Sequence, residues 1–117
     1  MFNFQKLEVY QLSKELVVFT YSLTKQFPET EKFCIVSQMN RSAVSIASNI
    51  AEGMSRSTQK DKLHFINIAY SSMMELTCQF DISHDLGYIT QDSLDLFFHK
   101  SKNLAVKMSN LAKTLKQ

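Results

Sequence analysis

The stretch Gln38-Met39-Asn40-Arg41-Ser42-Ala43-Val44-Ser45-Ile46-Ala47-Ser48-Asn49-Ile50-Ala51-Glu52-Gly53 decides the fold. Met39, Ala43, Ile46 and Ile50 recur at steps of four, three and four, with Ile35 one turn earlier, which is the apolar stripe of an α-helix. Beside it Gln38, Arg41, Ser45, Asn49 and Glu52 recur at three, four, four and three, a polar stripe on the same helix. Ser42, Ala43, Ser45, Ala47, Ser48 and Ala51 carry little bulk, so neighbouring helices can approach closely and this helix is expected to be central. Gly53 follows as a candidate left-handed terminator.

Working outward, the segment from Gln5 to Gln26 places Val9, Leu12, Leu16, Phe19 and Leu23 on one helical face. Phe27-Pro28 ends it, because proline disfavours helical geometry in the residue before it, and Pro28 suits the first turn of the next helix. Glu29 and Glu31 then stand where that helix's dipole favours negative charge. Downstream, Ser57 or Thr58 can cap a third helix, and Thr58-Gln59-Lys60-Asp61 has capping-box spacing with aspartate in place of glutamate. Phe65, Ala69, Ser72, Leu76 and Phe80 form one stripe there and Ile66, Tyr70 and Met73 a second, until Gly87. Thr90 can cap a fourth helix, carrying Leu94, Phe97, Phe98, Leu104, Ala105, Met108, Leu111, Ala112 and Leu115. Short connections make successive helices antiparallel neighbours. The expected fold is therefore an all-α, up-down-up-down four-helix bundle, one domain over residues 1–117, with crossings of roughly 20°.

Composition agrees. With only Gly53, Gly87 and Pro28 to license sharp turns, long helices are favoured over a β-sandwich or barrel, and a 44% apolar content suffices for a moderate core. The formal charge of +2 argues against a surface dominated by nonspecific nucleic-acid attraction. Cys34 and Cys78 lack metal-type spacing and are expected to be reduced, buried small hydrophobes. No apolar run reaches the roughly 18 residues that a membrane span needs, and Met-Phe-Asn-Phe-Gln-Lys is no signal-peptide core. The expected compartment is the cytoplasm.

Three constellations bear on chemistry. The polar stripe, which Arg56 and Glu75 could join, is open to three explanations: a solvated face, a hydrogen-bonding network within the bundle or between subunits, or a catalytic surface. The last is least favoured, because the stripe holds no nucleophile paired with a histidine or lysine base. Asp61 with His64 and Asp81 with His84 have the three-residue spacing of bundle metal ligands. Those pairs would lie about 30 Å apart along one helix, so they cannot share a metal in one subunit, and with Asp95 and His99 they are expected to be surface pairs. Lastly, Lys100, Lys102, Lys107, Lys113 and Lys116 make residues 96–117 basic, either as solubilising lysines on a surface helix or as a phosphate-contacting face. Catalytic, cofactor, metal and small-molecule substrate sites are not expected.

Phe27-Pro28-Glu29-Thr30-Glu31 and the Gln38–Gly53 run, with Ser45-Ile46, then Asn49-Ile50-Ala51-Glu52-Gly53 as its specific core, resemble the four-helix-bundle family of 23S ribosomal RNA intervening-sequence proteins. Arg56, Phe65, Ala69, Ser72, Glu75, Leu76 and Leu86-Gly87-Tyr88 extend the resemblance over nearly the whole chain. Asn40, Ala47 and Ser71 depart from it, standing where arginine, proline and glycine are usual. The resemblance implies a homopentameric ring of bundles, similar to the strongly basic accessory proteins of diversity-generating retroelements that associate with reverse transcriptase and nucleic acid. The leading expectation is thus a non-enzymatic homo-oligomeric scaffold, in which the stripe and the small residues organise helix or subunit packing. The alternative is an RNA- or DNA-binding accessory module, using Arg41, Lys100, Lys102, Lys107 and Lys113.

Overall fold

A computed structural model describes residues 2–116; Met1 and Gln117, the ends of the expected 1–117 domain, lie outside the described residues. The chain forms an all-α antiparallel four-helix bundle: α1 Glu8–Thr24, α2 Ile35–Met54, α3 Gln59–Asp85 and α4 Gln91–Leu115. α2 packs most extensively on α3, α1 lies against α2 and α4, and α3 lies against α4. Helix α1 is thus diagonal to α3, and α2 to α4.

Local chemistry sets the helix ends. The Asp61 N–H donates to Thr58 Oγ1 at 3.1 Å, and the Ser93 N–H to Thr90 Oγ1 at 3.1 Å, so both expected threonines cap. The Asp61 side chain, one methylene shorter than glutamate, does not return the bond to the Thr58 N–H, so half of the capping box forms. At the end of α3, Gly87 has φ +80°, its N–H donates to His84 O at 3.0 Å, and the Tyr88 N–H donates to Ser83 O at 2.9 Å. That is the paired arrangement in which glycine satisfies the last carbonyls of a helix.

Several expectations change. α1 begins at Glu8, preceded by a 3-10 turn Asn3–Lys6, and ends at Thr24 rather than Gln26. Pro28 precedes a separate 3-10 turn Glu29–Glu31, so those acids do not lie in the first turn of α2. Cys34 and Cys78 are both exposed. Cys34 stands before the first turn of α2, and Cys78 faces outward between the buried Leu76 and Phe80. Phe65 is only half-buried and Tyr70 is exposed, so the buried arc of α3 is narrower than the double stripe suggests.

The largest change concerns Gly53. It lies inside α2, buried and with ordinary helical φ, and does not terminate the helix. A Cβ on it would stand 2.9 Å from Phe65 Cβ and 3.2 Å from the Lys62 carbonyl oxygen. The residue is glycine because α3 crosses there at backbone distance.

Farther along, Met39, Ala43, Ile46 and Ile50 of α2 meet Ile66, Ala69, Met73 and Leu76 of α3 in the core. At its other end the core is aromatic: Phe80 and Phe97 stack at 3.9 Å between ring centroids, and Phe19 continues the column at 6.1 Å from Phe80.

Gly53→Ala should lower stability by up to about 2 kcal/mol in urea unfolding, since overpacking costs about 1–3 kcal/mol against a gain in helix propensity of about 1 kcal/mol. A variant more stable than the parent would show that α2 and α3 separate there without cost.

Candidate functional site

Two surfaces flank α2, one polar and one apolar. On the α3 side Ser42 Oγ donates to Glu75 Oε1 at 3.1 Å, and Ser45 Oγ meets Ser72 Oγ at 2.9 Å. Asn49 Nδ2 donates back to Ser45 O at 2.8 Å and Ser45 Oγ at 3.0 Å. Gln79 Nε2 donates to Glu75 Oε1 at 3.3 Å. Each inter-helix rung joins residues equally far from the Thr58–Gln59 junction, and the same register sets Gln38 opposite Gln79. The small serines are what allow side chains on two helix backbones to meet directly, because a longer residue at either position would hold the helices apart.

Ser45 and Asn49 are half-buried within this seam, whereas Gln38, Arg41, Glu52, Arg56 and Glu75 are exposed along its rim. Glu52 and Arg56 form their own pair one helical turn apart, 2.6 Å between Oε1 and Nη2, and the Arg56 guanidinium lies 4.7 Å from the Phe65 ring centroid. Gln38, Arg41, Ser42, Ser45, Ser72 and Glu75 line an open cleft of about 380 Å³. Ser42, Ser72 and Gln79 join the stripe's residues as partners beyond the expected set, and folding the chain about residues 58 and 59 brings all three into it.

On the α1 side the surface is apolar. Phe4, Tyr10, Val17, Val18, Val44, Ala47 and Ala51 line a second groove of about 390 Å³, with Lys14 and Ser48 as its polar lining. Val18 is 69% exposed, and Val44 and Tyr21 are exposed on the same side.

The expected basic set does not converge. Arg41 is on α2, diagonal to the α4 lysines. Lys107 Nζ reaches Glu8 Oε1 at 3.4 Å, and Lys100 Nζ stands 5.6 Å from the Phe19 ring centroid, both turned toward α1. Lys102 and Lys113 are exposed without such a contact. His84 approaches Asp85 at 3.8 Å rather than Asp81, and among the described residues no three His, Cys, Asp or Glu side chains gather as metal ligands. No described helix is long and apolar enough to cross a membrane.

The profile of the 23S rRNA-intervening sequence protein family matches residues 5–115. The chain belongs to that family. Among solved structures, this intervening-sequence protein is similar to a protein of unknown function from the S23 ribosomal protein family of Bacteroides thetaiotaomicron. The TM-score is 0.83 at 24% identity, over 90% of this chain and 98% of that one, a likeness of fold. No curated protein matches the chain significantly.

A double-mutant cycle of Ser45→Ala and Ser72→Ala should give a coupling energy of about 0.5–1.5 kcal/mol in chemical denaturation. Strict additivity would mean that the two hydroxyls are hydrated independently and that the seam holds no register.

Proposed function

We propose that this family member is a non-enzymatic, cytoplasmic scaffold that assembles with copies of itself, as a homopentamer in keeping with the family resemblance. The observation that carries the reading is the division of labour around α2. The serine hydroxyls of the polar seam fasten α2 to α3, while the α1 side of the same helix pair leaves Val18, Tyr21 and Val44 exposed beside an apolar groove. Exposed apolar residues gathered on one face, rather than scattered singly, are a common mark of a protein interface. Small residues at Ala47, Ser48 and Ala51 let an approaching helix come close.

Light scattering on the purified protein should give a mass near five times the 13.5 kDa of one chain. Val18→Asp should bring it down toward one chain with helicity intact, whereas Lys113→Ala should leave it unchanged. A parent mass of 13.5 kDa would end the scaffold reading.

A second reading, an RNA- or DNA-binding accessory module, has the exposed Lys102 and Lys113 of α4 in its favour, and five copies of a +2 chain carry +10. It requires affinity for structured RNA that falls steeply as salt rises, because phosphate contacts release counterions. Undetectable binding at low salt would remove it.

A further inference from the structure

We infer that the open cleft between α2 and α3 is a binding site for a small zwitterion of the α-amino acid type, its carboxylate against Arg41 and its ammonium against Glu75.

The cleft holds one cation and one anion that do not satisfy each other. Arg41 and Glu75 both line it, yet no Arg41 nitrogen lies within 4.0 Å of a carboxylate oxygen among the described residues. Glu75 is held from behind: Ser42 Oγ and Gln79 Nε2 both donate to Oε1, leaving Oε2 without a protein donor among the described residues. Pinning one oxygen orients the carboxylate without neutralising it.

Gln79 stands behind Glu75, outside the lining of the cleft, and holds that carboxylate in place. It is 6% exposed, and its Oε1 is buried with no hydrogen-bond partner among the described residues. Turning the amide over would bring two acceptors, Gln79 Oε1 and Glu75 Oε1, against each other, so the orientation is fixed by its neighbour. An ammonium group has three donors, one of which can meet the Glu75 Oε2 that no described residue reaches.

Charge then selects the ligand class. A simple anion drawn to Arg41 meets repulsion from Glu75, and a simple cation meets the reverse. A neutral molecule carrying both charges on adjacent groups satisfies both walls. A nucleobase is disfavoured, because the cleft lining holds no aromatic ring on which to stack it. The size of about 380 Å³ falls in the lower part of the usual range for small-molecule sites, roughly 300–1,000 Å³.

The test is an NMR titration of the full chain with glycine and L-alanine, following the backbone amides of Ser42, Ser72 and Glu75 and the Gln79 side-chain amide. Saturable shifts confined to these signals are expected. Acetate, methylammonium and guanosine monophosphate at the same concentrations should leave the signals in place. Arg41→Gln and Glu75→Gln, both at exposed positions and checked for native helicity, should each weaken binding by about tenfold or more. The proposal is overturned if neither amino acid saturates, if acetate or methylammonium binds equally well, or if only the nucleotide shifts these residues. It is equally overturned if the two substitutions change the mass of the particle in light scattering while leaving any amino-acid shifts unaltered, since the cleft would then belong to an assembly contact.

Discussion

Where Gly53 passes Phe65, two helices come as close as backbones and Cβ atoms allow, and that approach sets the spacing of everything farther along α2 and α3. A Cβ on residue 53 would meet Phe65 Cβ at 2.9 Å and the main chain of Lys62 at 3.2 Å, and the second of these cannot swing away. From this pinch the helices run antiparallel, with serine facing serine at 45 and 72 and serine facing glutamate at 42 and 75. The core behind them, from Ile50 to Met39, is built of side chains that are fully buried only because the gap stays narrow. Directional hydrogen bonds on the rim and non-directional packing behind it thus specify the same register.

Helix α2 consequently presents different chemistry in three directions. One stripe enters the core, one is fastened to α3, and one lies beside α1 with apolar groups still facing water. Interactions available to another molecule remain at the apolar groove and along the outer rim of the seam. The α4 lysines contribute less than their number suggests, because Lys107 and Lys100 are turned toward Glu8 and Phe19 of α1.

The helices and their caps were legible because periodicity and capping chemistry are local. Thr58, Thr90 and Gly87 act through neighbours within a few residues, and their roles follow from sequence alone. Gly53 was not legible, since a glycine near a helix end fits both a left-handed stop and a close crossing, and only the position of Phe65 distinguishes them. Cys34 and Cys78 are exposed against expectation for a related reason: a residue type's average burial says nothing about which way a given helix position points. In the seam, Ser45 and Asn49 stand out on one helix, but Ser72 falls in the apolar stripe of α3 and Gln79 in neither stripe. Their significance depends on register across the α2–α3 connection, which periodicity within a single helix does not carry.

The mirror arrangement of the rungs also shapes the order in which the chain can assemble. Gly53 and Phe65 flank the short connection, the Ser45–Ser72 rung closes a separation of 27 residues, and the Ser42–Glu75 rung one of 33. Once the innermost contact exists, each later rung adds only a small increment of loop entropy, because closure cost grows logarithmically with length. The α2–α3 hairpin can therefore close progressively from its turn outward, as a zipper does, and reach its register before α1 and α4 are in place.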